Sequence, residues 1–80
     1  MEKISSFLLS ERKKRGLTQS EMAEKISVSE SQYCTYEKGW VNRTTGYKSV
    51  PGLRTAKRIA KFTNVSIEEI VKYIDEERKN

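Results

Sequence analysis

The side chains best suited to chemistry in this sequence lie on one face of a short segment, Glu30 to Lys38. At helical spacing, Tyr33 and Tyr36 fall three residues apart on one side of the segment and are expected to be buried together. The opposite side carries only short polar groups, namely Glu30, Ser31, Gln32, Cys34 and Thr35. Most of these groups donate or accept hydrogen bonds readily. The chemistry they indicate is recognition through hydrogen bonds.

The composition argues against catalysis. The chain has no histidine, a single aspartate (Asp75), a single cysteine (Cys34) and no glycine-rich phosphate loop. General acid–base, metal-binding and nucleophilic sites need combinations of groups that this set cannot supply. The adjacent glutamates at 68–69 and 76–77 diverge on a helix, because neighbouring residues do not face each other there. We therefore expect no enzyme activity, no metal and no cofactor.

Positive charge is concentrated in one part of the chain. The net charge is +5, yet residues 18–37 sum to −3, with Lys25 against four glutamates. Residues 38–63 contain no acidic residue and seven basic ones: Lys38, Arg43, Lys48, Arg54, Lys57, Arg58 and Lys61. Such a stretch favours a surface that faces a polyanion. A solvated basic face is the alternative interpretation.

Length and cysteine content bound the class of protein. Eighty residues correspond to a single domain, 1–80. One cysteine cannot form an internal disulfide, so the chain needs no oxidising compartment. The apolar run of Phe7, Leu8 and Leu9 is too short for a signal segment or a membrane span. These features predict a cytoplasmic protein that does not contact membranes.

Two capped helices separated by a short turn are expected to position the polar face. Thr18 with Glu21, and Ser29 with Gln32, both have the S/T-x-x-E/Q spacing of a capping box, in which two side chains satisfy amides at a helix start. A turn lies between the two helices. The layout is a helix-turn-helix over about 18–38.

Three further helices are predicted around this motif, and no strand pattern is found, so the fold class is all-α. The five predicted helices run over about 4–14, 19–25, 30–38, 53–63 and from 67 onward. The last two have apolar stripes expected to face the core: Leu53, Ala56, Ile59, Ala60 and Phe62, then Ile67, Ile70, Val71 and Ile74. Residues 39–52 form a long loop between helices 3 and 4, and the charged tail 76–80 is expected to fray.

Spaced matches along the chain carry a resemblance to a known family. They are Thr18-Gln19, Ala23, Val28-Ser29, Tyr33, Tyr36-Glu37, Gly39, Pro51, Leu53, Ile59-Ala60 and Val65-Ser66. With these residues the sequence resembles Xre/Cro-type helix-turn-helix proteins, of which phage repressors are the best known. The resemblance covers about residues 4–74. It implies a five-helix lambda-repressor-like domain that binds operator DNA, usually as a dimer.

The resemblance and the basic loop assign roles to individual residues. The positions that read base edges in the major groove correspond to Glu30, Ser31, Gln32 and Thr35. The expected phosphate contacts are Gln19, Ser29, Lys38, Arg43 and Lys48. Arg12 and Glu37 match a structural ion pair of the family. The candidate dimer contacts on the last helix are Ile70, Tyr73 and Ile74.

Three features depart from the family pattern. The loop holds an insertion in which Trp40 and Tyr47 either contact DNA or cover the core, the second being usual for large aromatic side chains. Ser27 stands where glycine is common, so we expect the turn to be slightly strained or rearranged. The reading face has no basic residue before Lys38, and the carboxylate of Glu30 accepts from cytosine but repels phosphates.

Two functional interpretations follow from the sequence. The first is a sequence-specific DNA-binding regulator of transcription, a phage or mobile-element repressor or Cro-like protein that occupies an operator in double-stranded DNA. A restriction–modification controller of this size would look much the same. The second is a protein-interaction module on the same fold, an antitoxin or adaptor with a protein partner. The long aromatic loop and the acidic motif allow the second interpretation.

Overall fold

Five α-helices form in the part of the chain that the computed structural model describes, residues 2–79. They are α1 (Ile4–Lys14), α2 (Gln19–Lys25), α3 (Glu30–Lys38), α4 (Leu53–Thr63) and α5 (Ile67–Arg78). The first four have the predicted bounds, and the predicted all-α class is confirmed. No helix within residues 2–79 is long and apolar enough to cross a membrane.

Hydroxyl side chains cap the starts of three helices. At α2, Thr18 Oγ1 accepts from the amide of Glu21 at 3.1 Å, and the Glu21 carboxylate accepts from the amide of Thr18 at 2.9 Å. Ser29 at α3 and Ser66 at α5 likewise accept a hydrogen bond from an amide in the first turn of their helix. Neither helix has the reciprocal bond to the amide of its capping serine. At α3 the Gln32 side chain donates to a loop residue instead. The predicted capping box at α2 is therefore complete and the one at α3 is half formed.

The core lies where α1 packs on α3 and α5, with α2 against α3 and α4 against α5. Tyr33 and Tyr36 of α3 are buried in it, as their spacing predicts. Other core side chains are Ile4, Leu8, Met22, Ile26, Ile59 and Ile70. Two residues of the predicted apolar stripes are not in the core, since Leu53 is 64% exposed and Val71 is 39% exposed. No described element covers the side on which they lie.

The turn between α2 and α3 is closed by a Schellman motif. Ser27 has φ of +59°, and the Val28 amide donates to the Ala23 carbonyl at 3.0 Å. A left-handed backbone costs a residue other than glycine about 1–2 kcal/mol. The strain expected from serine at this position is therefore present as a positive φ.

Residues 40–49 of the long loop form a short hairpin, which we call the loop hairpin. Val41 and Lys48 pair as an antiparallel bridge. The amide of Ser49 donates to the Trp40 carbonyl at 2.8 Å, and the amide of Asn42 donates to the Tyr47 carbonyl at the same distance. The segment predicted as an irregular loop is therefore partly ordered by backbone hydrogen bonds.

Within the described residues, most of the tail predicted to fray is helical. Helix α5 continues to Arg78, and Glu77 is only 3% exposed. Its carboxylate accepts from the amide of Ser5 at 3.0 Å and lies 3.9 Å from Lys48 Nζ. These partners are distant in sequence, so the charged composition of the tail does not reveal them. Met1 and Asn80, which fall in the predicted domain and tail, lie outside the described residues.

Candidate nucleic-acid interface

The outer face of α3 is determined by burial of its inner face. Because Tyr33 is fully buried and Tyr36 nearly so, the side of α3 opposite these two residues points away from the core. Ser29 caps the helix, and the free amides of its first turn point outward. Glu30, Ser31 and Gln32 are exposed, and Thr35 is half-buried. The four predicted base-reading residues thus lie together on the N-terminal part of α3.

A cluster of four polar side chains joins α3 to α1 and α2. We call it the Glu37 cluster: Arg12, Gln19, Tyr33 and Glu37. Arg12 Nε donates to Glu37 Oε2 at 2.7 Å, and the Tyr33 hydroxyl donates to the same oxygen at 2.5 Å. Gln19 Nε2 donates to Glu37 Oε1 at 3.1 Å. Arg12 also donates from Nη2 to Glu37 Oε1 at 3.3 Å and from Nη1 to the Leu17 carbonyl at 3.0 Å. Residues of α1, α2 and α3 therefore meet at one carboxylate.

The titration behaviour of the Glu37 cluster fits a permanent ion pair. Burial on its own raises the pKa of Glu37, but hydrogen bonds from Arg12, Tyr33 and Gln19 outweigh it and hold the pKa below its ordinary value. The hydrogen bond to Glu37 raises the pKa of Arg12 despite partial burial. Burial raises the pKa of Tyr33. At neutral pH, Glu37 and Arg12 are therefore charged and Tyr33 is neutral.

Gln19 has both ends of its side chain engaged within the protein. Its Nε2 donates to Glu37, and its Oε1 accepts from Cys34 Sγ at 3.3 Å. This arrangement leaves its backbone amide, in the first turn of α2, as the group best placed to meet a phosphate. The predicted phosphate contact through Gln19 is thus limited to the main chain unless the side chain breaks these bonds.

The loop hairpin contacts the outer face of α3 through Ser49. Its hydroxyl lies 2.6 Å from Thr35 Oγ1 and 3.4 Å from Gln32 Nε2. Two predicted base-reading residues therefore share one loop partner. Sequence reasoning missed Ser49, because no local pattern distinguishes it from the other hydroxyl residues of the loop.

Comparison with known proteins identifies the family. A helix-turn-helix family model matches residues 8–70. The chain belongs to the Xre/Cro-type helix-turn-helix family. An uncharacterised HTH-type transcriptional regulator of Methanocaldococcus jannaschii is 41% identical over 61 residues, which cover 76% of this chain and 80% of that protein. One of Archaeoglobus fulgidus is 38% identical over 66 residues, covering 82% of this chain and 83% of that protein. No solved structure matches the chain.

Six of the seven basic residues within residues 38–63 of this helix-turn-helix protein fall into two groups. Lys38 and Arg43 are exposed at the end of α3 and in the loop hairpin. The outer face of α4 exposes four more: Arg54, Lys57, Arg58 and Lys61. Lys48 belongs to neither group. Its side chain is 14% exposed, lies 3.9 Å from Glu77 and donates to the Lys79 carbonyl at 3.3 Å. The charge of Lys48 is directed to α5 in this structure, and its phosphate contact stays a prediction.

The aromatic residues of the loop hairpin face solvent. Trp40 is 49% exposed and Tyr47 is 78% exposed. Tyr47 therefore does not cover the core, and only about half of the Trp40 side chain is shielded from solvent. The short hairpin carries them away from the core as it folds back on itself.

Two of the three candidate dimer contacts in the helix-turn-helix protein lie inside the protein. Ile70 is fully buried, and Ile74 is nearly so, although Ile74 still lines a shallow groove between α4 and α5. Tyr73 packs against Phe7 with ring centroids 4.9 Å apart. Ile70 lies in the core because α1 and α4 pack on α5, whereas the predicted dimer contacts through Tyr73 and Ile74 stay predictions.

The shallow groove beside Ile74 forms an exposed apolar surface. It lies between the start of α4 and α5, with a volume of about 170 Å³, and it is lined by residues that include Leu53 and Val71. Both residues were on predicted stripes, so their type was visible in the sequence while their exposure was not. Within residues 2–79, no three His, Cys, Asp or Glu side chains come together to hold a metal ion.

Proposed function

We propose that this protein is a sequence-specific DNA-binding regulator of transcription in the cytoplasm that represses by occupying an operator. Phage and mobile-element repressors and Cro-like proteins act in this way. The observation that carries the proposal is the exposed polar face at the N-terminal end of α3 in a helix-turn-helix domain. The names of both archaeal relatives, HTH-type transcriptional regulators, support the regulatory part of the proposal.

In the proposed complex, the start of α3 enters the major groove, where the N-terminal residues of a recognition helix contact base edges. Gln32 pairs through its carboxamide with adenine, and Glu30 accepts from the amino group of cytosine. Ser31 donates to or accepts from a base edge, and Thr35, whose hydroxyl hydrogen is engaged by the Gln32 carbonyl, accepts one hydrogen bond from a base amino group. Each good bidentate contact supplies about 1–3 kcal/mol of discrimination against the wrong base.

Phosphate contacts on both sides of the groove hold α3 in register. We assign them to Lys38, Arg43, the capping region at Ser29 and the main chain of Gln19. Each phosphate contact changes the slope of log affinity against log salt by about one unit. Two exposed cations are few, so the proposal also expects a contribution from the basic outer face of α4.

The proposed operator complex is a twofold dimer. Its apolar contact is the groove lined by Leu53, Val71 and the predicted dimer residue Ile74. Helix-turn-helix dimers place two recognition helices roughly 34 Å apart, one turn of DNA. The operator would accordingly contain two related half-sites at that spacing.

A protein-interaction module on the same fold, such as an antitoxin or adaptor, is the second candidate. The observation that favours it is the exposed apolar surface of the loop hairpin, where Trp40, Val41 and Tyr47 all face solvent. Aromatic residues are enriched in protein interfaces.

Selection of bound sequences from a random duplex pool, at about physiological salt, tests the proposal, because nonspecific electrostatic binding is weak there. We expect an enriched motif with twofold symmetry. An asymmetric motif would retain specific binding but reject the dimer. The absence of any enrichment would reject specific reading and favour the protein-interaction module, for which salt-insensitive retention of a protein from lysate is the supporting result.

A further inference from the structure

Three side chains at the junction of α3 and the loop hairpin form a closed hydrogen-bonded ring. Thr35 Oγ1 lies 2.6 Å from the main-chain carbonyl of Gln32, one turn earlier in the helix. Thr35 Oγ1 also lies 2.6 Å from Ser49 Oγ. The Gln32 side chain completes the ring, with Nε2 at 3.4 Å from Ser49 Oγ. Gln32 and Thr35 belong to the proposed reading face, whereas Ser49 is outside it.

Counting hydrogens gives the direction of every bond in this ring. A carbonyl only accepts, so Thr35 must use its single hydroxyl hydrogen on the Gln32 carbonyl. Ser49 must then donate its own hydrogen to Thr35. With that hydrogen engaged, Ser49 can only accept from Gln32, and the group facing it must be the NH₂ end of the carboxamide. Ser49 therefore decides which way the Gln32 amide points.

We propose that Ser49 is a positioning residue for base reading, which acts by orienting the carboxamide of Gln32. The inference rests on the proposed function, that α3 reads bases. With one N–H of Gln32 directed to Ser49, the carbonyl oxygen and the other N–H remain for the DNA. These are the two groups that pair with N6 and N7 of adenine. Prior orientation lowers the side-chain ordering that binding would otherwise require.

The length of the Gln32–Ser49 bond suits a side chain that must still adjust. At 3.4 Å it is at the long end of the hydrogen-bond range, while the Thr35–Ser49 bond is short. Ser49 is thus held firmly by Thr35 and in turn restrains Gln32 loosely. Gln32 can move the small distance needed to meet a base without turning its amide over.

The Ser49 hydroxyl is separable from the folding of the loop hairpin. The main-chain amide of Ser49 forms the bond to the Trp40 carbonyl, and Lys48 makes the contacts with α5. Replacement of Ser49 by alanine removes neither of these contacts. Ser49→Ala therefore tests the orienting bond while the hairpin stays folded.

The experiment compares base preferences of the full chain and its variants on selected duplexes. The base pair whose preference disappears in Gln32→Ala marks the Gln32 contact. At that pair we expect Ser49→Ala to lower the preference for adenine about three- to tenfold, the range typical of coupled neighbours. Affinity for unrelated duplexes and the salt slope should not change. Ser49→Thr, which keeps the hydroxyl, should retain the preference, as should the control Thr44→Ala on the same hairpin.

A double-mutant cycle separates orientation from other roles. In a Gln32→Ala background, Ser49→Ala should have no further effect at this base pair. An unchanged base preference in Ser49→Ala overturns the inference. A further loss of base preference when Ser49→Ala is added to Gln32→Ala also overturns it. A uniform loss on all duplexes with a smaller salt slope also overturns it, because Ser49 would then be a phosphate contact. If the unmutated protein has no base preference, the proposed function fails first and the inference falls with it.

Discussion

Glu37 links three helices at one carboxylate, and this makes it a structural residue inside the DNA-binding motif. It accepts from Arg12 of α1, Gln19 of α2 and Tyr33 of its own helix. Its side chain is 7% exposed, and that of Arg12 is 18% exposed. A variant at either position would lose DNA binding because α3 is no longer held in place. Stability therefore has to be measured before any such loss is attributed to base reading.

Glu37→Gln should lower the free energy of unfolding by about 3 kcal/mol, the low end of the range for breaking a buried ion pair, because Arg12 keeps some exposure. Urea unfolding at neutral pH measures this difference. Glu24→Gln, at an exposed position of α2, is the control and should change stability little. Equal effects of the two substitutions would show that the Glu37 cluster does not stabilise the motif.

The contribution of Glu37 should also depend on pH. Its pKa is lower in the folded protein than the ordinary value of 4.5, so its stabilisation is complete above 4.5 and is lost as pH falls through the folded pKa. The stability difference between the unmutated protein and Glu37→Gln should therefore shrink as the pH of urea unfolding is lowered from 7 towards 3. A difference that stays constant over this range would contradict the lowered pKa.

The turn at Ser27 predicts a stabilising substitution. Ser27→Gly should raise the free energy of unfolding by about 1 kcal/mol, since glycine adopts the observed φ of +59° without steric cost. Thermal unfolding measures the gain. Ser20→Gly, within α2, is the matched control and should lower stability. A loss at Ser27 as well would mean that the serine side chain stabilises the turn in a way its backbone does not reveal.

At the scale of elements, periodicity and caps were sufficient to predict four helices and the start of the fifth. What they could not supply were contacts between elements far apart in the chain. The apolar stripes of α4 and α5 were visible, but whether another element covers Leu53 and Val71 depends on the tertiary arrangement. The end of α5 was predicted wrongly for the same reason. Glu77 accepts a hydrogen bond from the amide of Ser5, which lies 72 residues away in the sequence.

Glu77 takes the place of a helix cap. The start of α1 has no side-chain cap of its own, and the Glu77 carboxylate accepts from the second amide of that helix. Glu77→Ala should lower the free energy of unfolding by about 1–2 kcal/mol, the usual cost of a lost cap. Hydrogen exchange at Ser5 should accelerate. Glu76→Ala, whose carboxylate pairs only with Lys79 at the surface, is the control; an equal effect there would reject the capping role.

The proposed site was visible from the sequence to different degrees. The reading face of α3 follows from helix period alone, since Tyr33 and Tyr36 mark the buried side. The phosphate contacts were harder to predict from the sequence. The fold of the loop hairpin sets the direction of the Lys48 side chain, and the Glu37 cluster sets that of Gln19. Both depend on residues outside their own segments. Ser49 lies in the same category, and only the folded loop brings it to α3.

On the scale of the whole molecule, the uncovered groove between α4 and α5 predicts how two copies meet. Leu53→Glu places a charge in this groove and should convert the proposed dimer to a monomer, because an unpaired charge is costly to bury in an interface. Sedimentation velocity of the free protein and of its operator complex measures this change. Val41→Glu, on the exposed loop hairpin, is the control. A dimer that tolerates Leu53→Glu would place the interface elsewhere.

The central claim is that the outer face of α3 reads DNA sequence, and one binding measurement tests it most directly. The affinities of the unmutated protein and of the double variant Gln32→Ala, Thr35→Ala are compared on the selected duplex and on an unrelated one, across a range of salt concentrations. We predict that the double variant loses at least about tenfold in preference for the selected duplex, with an unchanged salt slope. Lys38→Ala should instead weaken binding to both duplexes and lower the slope by about one unit. An unchanged preference in the double variant would contradict the account.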